Sequence, residues 1–487
     1  MNNVIFNYLS TLGYNVSTNY YGNIDLWRTW WENYVKKFHE YHDQNGEQRE
    51  LYKLGMAKQG CEDWASILFT ERDTVICDNV KNQEYLDEEF KKLKFNDVMP
   101  DNIEKAFWSG TEATILRVKE AKIVNKQIVA GDKTYTELIN VDAEQIVPLR
   151  IDNGKIIDVA FVSDTILNDK KSYYIEIHEL KDDGYVIRNK YIDERGFELK
   201  NDKVVEEYHT KTDIPLFSIL EPRILNNIKD NNGLGISVYA NAVDELKGCD
   251  IAYNNYVKDI ELGGKKVFYN KKLVKYWIKT YTDEQTGEQV TKEVPIYPDD
   301  ISKQQFQVVG DEMDTINESP LIQEYNPSLR VAENENAINL ALNMYAFKIG
   351  LGKYYRFENG TVVTATQYIG ENKDLVSNAK KHRNAVNEYT IGLAKAILFL
   401  GRTLFKQPVT EEDEISLTDK DGFLISDEEL QDRYRQDFQA GLMSKKSYLM
   451  KARGMSEEQA LKEIEEANGD NPSVEDIIAN NKKVDVE

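Results

Sequence analysis

Cysteine is scarce. The 487-residue chain has three, Cys61, Cys77 and Cys249, an odd number without CxxC spacing. That excludes a disulfide framework and a zinc knuckle and fits a reducing compartment. Long apolar runs are missing too. The strongest, Ile391–Leu400, is broken by Lys395 and is too short to span a bilayer. The first residues, MNNVIFNYLSTLGYN, carry no basic n-region, so no signal peptide is expected. Together these features predict a soluble protein made in a cytoplasm, with no membrane partner. Positive charge is in deficit: 61 Lys and Arg against 84 Asp and Glu give a net charge of −23. A protein that grips phosphates tightly carries a basic patch, and the whole-chain balance argues against one. It remains compatible with a protein past which DNA slides, because an acidic wall repels phosphate and prevents sticking.

Catalytic motifs are lacking as well. Gly263-Gly264-Lys265-Lys266 and Gly350-Leu351-Gly352-Lys353 have neither the spacing nor the Ser/Thr of a phosphate-binding loop. No HExxH, GxSxG or dinucleotide fingerprint occurs. Of five histidines, His39 and His42 stand three apart, but without a third ligand they read as two partly exposed side chains on a polar helix face. Acidic pairs and runs such as Asp299-Asp300 and Glu411–Glu414 are expected by chance among 84 carboxylates and read as solvated. Cys61 falls on an apolar stripe and reads as core. The expectation is a protein of assembly or binding, with no enzymatic activity, no cofactor and no metal.

What is present is a large, tyrosine-rich chain with 41% hydrophobic and 30% charged residues, enough for an extensive core and several domains. Apolar residues at three- and four-residue spacing predict helices over 24–42, about 49–70 and 83–108, the last with a turn at Met99-Pro100. Near residue 111 the period changes to two. Turn signals at Asp152-Asn153-Gly154, Asp182-Asp183-Gly184 and Glu194-Arg195-Gly196 then predict an antiparallel meander over about 111–210. Helix returns over 235–262. Residues 265–325 are mixed, with a strand at Lys266–Tyr269, a hairpin loop at Asp283–Glu288, and Pro295, Pro298 and Pro320 opposing helix. No proline occurs between Pro327 and Pro408. A helix is predicted over Ala332–Gly350, then a glycine-bounded loop Leu351–Val363, then a helix from Thr364 of about forty residues. Its stripe is Leu375, Ala379, His382, Val386, Tyr389, Leu393, Ile397, Leu400 and Leu404. Residues 411–487 read as helical and acidic, with 21 Asp/Glu against 10 Lys/Arg, an N-cap at Ser426 and a capping box at Ser456-Glu457-Glu458-Gln459.

The order of these elements, and several short segments in it, resemble the portal proteins of long-tailed phages, the family described as SPP1-type. Tyr20-Tyr21-Gly22-Asn23-Ile24 opens the first long helix. Leu54-Gly55-Met56-Ala57-Lys58 leads into Cys61-Glu62-Asp63-Trp64-Ala65-Ser66-Ile67-Leu68 and Glu71. Gly233-Leu234-Gly235-Ile236-Ser237-Val238-Tyr239 precedes Ala242-Val243-Asp244-Glu245-Leu246 and Asp250. Thr364-Ala365-Thr366-Gln367 starts the longest helix, and Ser444-Lys445-Lys446-Ser447 lies in the tail.

The resemblance implies an α+β, multi-domain subunit. Residues 1–235 would form a wing of helices and antiparallel strands, 236–263 and 329–350 paired stem helices, and 264–328 a small α/β clip. Residues 351–363 would be a tunnel loop, 364–405 a long spoke helix of the wing, and 406–487 a helical crown and tail. It implies a homo-oligomeric ring of about twelve subunits at one capsid vertex of the virion, assembled in host cytoplasm. Double-stranded DNA would pass through it without sequence recognition. The partners implied are the terminase large subunit, head-completion or adaptor proteins, the scaffold and the major capsid protein. In the loop, Lys353, Tyr354, Tyr355, Arg356, Phe357, Glu358 and Asn359 are aromatic and locally cationic, suited to weak contact with a sliding backbone. Lys380, Lys381 and Arg383 are candidates for a subunit or DNA contact, and Asp299 and Asp300 for docking at the clip. Two other readings stay open at this point: a head–tail connector or minor head protein, and a metal-dependent nuclease.

Overall fold

The computed structural model describes residues 3–43, 45–70, 72–167, 169–201, 204–264, 266–270, 276–282, 289–295, 306–309, 322–355, 373–410, 415–417, 427–453, 455 and 460–464. Within these the chain is mixed helix and sheet, an α+β arrangement.

The N-terminal helices are α1 (Asn3–Thr11), α2 (Tyr21–Trp31) and the single turn α3 (Lys36–His39), followed by the hairpin β1 (Glu40–His42) and β2 (Gln48–Glu50). The helix expected over 24–42 is therefore broken. Asn33 adopts a left-handed backbone with φ of 58°, which an α-helix cannot continue through. The next helix, α4 (Met56–Thr70), starts later than the 49–70 reading, because Gln48–Glu50 is spent on the hairpin. β3 (Val75–Cys77) leads to α5 (Val80–Lys92) and α6 (Phe95–Ser109). Asn79 caps α5 by accepting the Lys81 N–H. The break between α5 and α6 falls at Lys94, again left-handed, and not at Met99-Pro100; Pro100 sits inside α6.

The β region opens with β4 (Glu112–Lys119), the small hairpin β5 (Lys122–Val124) and β6 (Gln127–Val129), and β7 (Tyr135–Asp142). It continues through β8 (Ile146–Asp152), β9 (Lys155–Leu167), β10 (Lys170–Lys181), β11 (Gly184–Asp193), β12 (Glu198–Leu199), β13 (Glu207–His209) and β14 (Phe217–Leu220). The meander is real for β8-β9-β10-β11-β12, all antiparallel, with β13 also on β11. β4 leaves that path and pairs with β7 and β14 in a second sheet. β10 is covered on both faces. Tyr173, Ile175 and Ile177 enter the core, while Glu176 and His178 are buried on the other side. There Glu176 accepts from Arg117 and lies 3.0 Å from His178 Nε2. Burial alone would raise the Glu176 pKa, but His178 and Arg117 bring it down to about 2.

Helix α7 (Val243–Leu262) begins eight residues after the expected start, so Val238 belongs to the segment before it. The insert that follows contains, among the described residues, only strands: β15 (Lys266–Asn270), β16 (Tyr276–Thr282), β17 (Gln289–Pro295), β18 (Phe306–Val309) and β19 (Ile322–Tyr325). β16 and β17 form an antiparallel hairpin, and β15 pairs antiparallel with β19 and parallel with β18. No helix supports the α/β reading of 264–328 within those residues. α8 (Val331–Lys348) runs back antiparallel to α7, because Arg330 and Asn334 bind Asp259 at one end and Lys348 pairs with Glu245 at the other.

α9 (Lys373–Thr403) is the longest helix, and every stripe residue named above from Leu375 to Leu400 is buried, with Leu404 just beyond it. It packs on β14, β4, α4 and α5 of its own chain. Residues 364–372 lie outside the described residues. The tail also contributes a strand, β20 (Ile415–Leu417), which pairs with β3, before α10 (Asp427–Gln439) and α11 (Lys445–Arg453). Ser426 and the capping box at 456–459 lie outside the described residues.

One hydrophobic cluster unites α1, α2, α4, α6, both sheets, the first half of α7, the end of α8 and the first half of α9. Inside it sits a polar knot: Asn102 Nδ2 donates to Thr114, Asn140 and Tyr389, and Thr114 Oγ1 donates to Glu112 Oε1 at 3.0 Å. Glu112 is fully buried, and its Oε2 has no hydrogen-bond partner. Burial holds its carboxyl well above the usual range, so the folded chain keeps the proton. The unfolded chain releases it near pH ~4.3, so this group lowers stability progressively as pH rises above that value. Glu112→Gln should therefore raise the melting temperature at pH 7, by the equivalent of about 1–3 kcal/mol. The difference from the parent should shrink towards pH 4; a gain that does not change with pH would contradict a protonated Glu112.

Candidate functional site

The loop after α8 is where the sequence placed its main candidates. Its root is built from three helices, α8, α4 and α9. α8 ends at Lys348, and Gly350 then takes a left-handed backbone with φ of 87°. A Cβ there would stand 3.0 Å from Asn378 Nδ2, so glycine satisfies both the turn and the close approach of α9. Asn378 Nδ2 donates to the Gly350 carbonyl at 3.0 Å. Trp64 of α4 donates from Nε1 to the Ile349 carbonyl, also at 3.0 Å. Leu351 is completely buried. The turn after α8 is thus held by side chains from α4 and α9, while the carbonyls of Tyr345, Ala346 and Phe347 in the last turn of α8 accept the N–H groups of Ile349, Leu351 and Gly350.

Beyond Leu351 the described loop residues divide. Lys353 and Tyr354 are exposed. Tyr355 turns back: its hydroxyl donates to Asp63 Oδ2 at 2.5 Å and its ring stacks on Tyr345 of α8, with centroids 6.4 Å apart. Tyr355 is an anchor and not a free side chain for a ligand. Arg356, Phe357, Glu358 and Asn359 lie outside the described residues, as do Asp299 and Asp300.

The basic cluster on α9 does not act as a unit. His382 is buried between Trp64 and Phe107, each ring 4.9 Å away, and its Nδ1 accepts the Arg223 N–H. Burial lowers its pKa to about 3, with Lys381 adding to the effect. Arg383 points inward and pairs with Asp73 at 3.6 Å, both side chains mostly buried. Within the subunit its partner is thus Asp73, which the sequence reading of Arg383 as a subunit or DNA contact did not include. Lys380 and Lys381 are exposed.

His39 and His42 are also separated. His39 is fully buried, its Nδ1 accepting from Val35 N–H at 2.7 Å while Nε2 faces Asp250 Oδ2 at 3.1 Å. The proton therefore sits on Nε2. His42 is exposed on β1, so the two do not form a pair on a helix face. Among the described residues no three His, Cys, Asp or Glu gather as a metal site, and no helix is long and apolar enough to cross a membrane. Cys61 is fully buried, and burial raises its thiol pKa. Sequence reasoning gave no role to Trp64, Asp63 or Asn378. The signal was the glycine at 350, which demands a close neighbour without naming it.

No family model matches the chain, and no curated protein matches it. Among solved structures it is similar to a chain described as "Neck of native GTA particle computed with C12 symmetry", at 9% identity and a TM-score of 0.37, covering 81% of this chain and 88% of that one. A likeness at that score carries no argument.

Two measurements test the site. Trp64→Phe keeps the ring packing but strands the Ile349 carbonyl, and should cost about 1–3 kcal/mol in urea unfolding; a neutral change would remove Trp64 as the holder of the loop root. His382 is neutral when folded, whereas the unfolded chain protonates it near pH ~6.5. Stability should fall as pH drops from there towards 3, and His382→Phe should blunt that slope.

Proposed function

We propose that this chain is a phage portal subunit, a ring-forming channel protein through which double-stranded DNA is packaged and released. The observation that carries the proposal is axial. The α7–α8 pair has the strand insert of 264–328 at one end and the 351–355 loop root at the other. The hydrophobic core of sheets and helices meets the loop end, while the β1–β2 hairpin and Tyr52 reach along α7 to Lys258 and Glu261. That is the layout a clip, stem and tunnel loop require. A rigid root displaying Lys353 and Tyr354 suits weak, sequence-blind contact with a moving backbone, one cation per subunit. The strongly acidic balance of the chain suits a passage to which DNA must not adhere. On this reading the chain itself has no enzymatic role. The terminase large subunit supplies the motor, the insert docks it and later the adaptor proteins, and scaffold and capsid proteins meet the body at the virion vertex.

The solution mass of the full chain, with negative-stain images of any large species, tests this directly. Closed rings with a central channel are expected. Deleting all of Leu351–Val363 is a poor probe, because Leu351 is core. Lys353→Glu with Tyr354→Ala leaves the root intact. It should give rings of unchanged mass and melting temperature that retain about threefold less packaged DNA or worse. Unchanged retention would take the loop out of the mechanism.

A further inference from the structure

We infer that the open edge of β14 is the floor of a docking groove that takes one extended, acidic segment of a partner protein as an added strand. The site does not depend on the channel reading above. β14 pairs with β4 on one side, and no strand covers its other side among the described residues. The Leu116 N–H donates to the Leu216 carbonyl, and the register continues through Ser218↔Thr114 and Leu220↔Glu112. In an antiparallel ladder the residues between such pairs turn their N–H and C=O outward. Those residues are Phe217 and Ile219. Each aims a donor and an acceptor at the open edge, a pattern that the main chain of another strand complements. Both line a cavity of about 410 Å³.

One wall of the groove is α9. It runs antiparallel to β14, tied to it where Ser218 Oγ donates to the Tyr389 carbonyl and where the Arg223 N–H donates to His382 Nδ1. A Cβ on Gly392 would stand 2.7 Å from Ser218 Oγ, so glycine permits this approach. Ala385, Glu388, Ile391 and Lys395 follow at three- and four-residue spacing and line the cavity from this wall. The other wall is the start of β9, with Lys155 and Ile156. Phe217 turns its ring towards that sheet, against Phe161 and Tyr185, while Ser218 faces α9. A strand set beside β14 therefore points alternate side chains at Ile156 and at Ile391, and apolar residues suit both directions.

The rim supplies the charge. Lys155 and Arg223 both reach Glu388, at 3.8 and 2.5 Å, so this carboxylate bridges the two walls. All three side chains are exposed, and such a bridge opens at little cost. Lys395 is exposed and pairs with no carboxylate among the described residues. Burial raises the Glu221 pKa to about 7, so this fifth charged group of the lining is only partly ionised at neutrality. Lys155, Arg223 and Lys395 thus outweigh Glu388 and Glu221, on a chain that carries −23 overall. An acidic strand is drawn to this rim and repelled by most of the remaining surface.

The probe is a displayed library of random short peptides, selected on the full-length chain; the best binder is then synthesised with a fluorophore. It should have apolar residues at alternate positions and at least one Asp or Glu. Its binding should slow deuterium exchange at the N–H groups of Phe217 and Ile219. Methylating the peptide amides that face β14 should weaken binding by about tenfold or more, while methylating those on its outer edge should not. Glu388→Gln frees Lys155 and Arg223 and should tighten binding severalfold, whereas Lys395→Glu should weaken it severalfold. Both substitutions fall on exposed side chains and should leave the melting temperature near the parent's. A binder that tolerates methylation on both edges, or that binds as a helix, overturns strand addition. A selection that returns no peptide sensitive to Lys395→Glu overturns the site. Protection of Phe217 and Ile219 that grows with chain concentration alone gives the groove to a second copy and overturns the proposal as well.

Discussion

The indole of Trp64 is the contact on which the rest of the molecule turns. It is fully buried, its ring meets Phe107 of α6 and His382 of α9, and its N–H holds the Ile349 carbonyl just after α8. Four helices that are far apart in sequence converge on this one side chain. A tryptophan suits the place because it offers a large apolar area and a single donor, which a buried indole must spend. Tyr345 repeats the device one turn earlier, donating to the Met56 carbonyl at the start of α4. The direction in which the loop leaves α8 is therefore set by α4, and a change in the packing of α4 moves whatever Lys353 and Tyr354 touch.

Buried polar groups fix the remaining registers. Asp250 on α7 accepts the Leu54 N–H and faces His39, so one carboxylate orients both the hairpin and the approach to α4. Gly110 and Gly235 press backbone to backbone; a Cβ on Gly110 would sit 2.5 Å from the Gly235 oxygen. That same oxygen accepts from the Tyr20 hydroxyl. Apolar packing alone tolerates sliding, whereas these donors and acceptors each have one satisfying partner. Glu112 is one of several exceptions among the described residues, a carboxyl buried with one oxygen unsatisfied, and burial favours its protonated form.

Legibility in the sequence followed periodicity. The α9 stripe was readable because it is long and each of its residues meets the same core. The β8–β11 meander was readable because its turns are marked by Gly and Asn. The failures share a cause. Trp31, Tyr34, Phe38 and Tyr41 keep helical spacing across a break that one left-handed asparagine makes, and no pattern marks that choice. Pro100 reads as a stop, but close to a helix start it leaves most of the helix bonding intact. At the candidate site, sequence showed the loop and its cations. It did not show that Tyr355 and Arg383 would be spent on Asp63 and Asp73, because those partners lie about 300 residues away in sequence.

The helix pair is buried unevenly along its length. In α8 the buried side chains are confined to the last turns, and in α7 to the first three. The other half of the pair projects from the core, with Ile260, Leu329 and Val331 exposed and ion pairs at its tip. Exposed ion pairs contribute little, roughly 0–1 kcal/mol each, so a lone subunit holds this half weakly. Burying large apolar side chains contributes about 1.5–3 kcal/mol apiece. Leu340, Met344 and Phe347 are exposed on this pair, so the single chain does not draw that contribution from them. The loop end is already locked by Trp64 and Asn378. The loop root is therefore held within the single chain, independently of whatever covers the insert end.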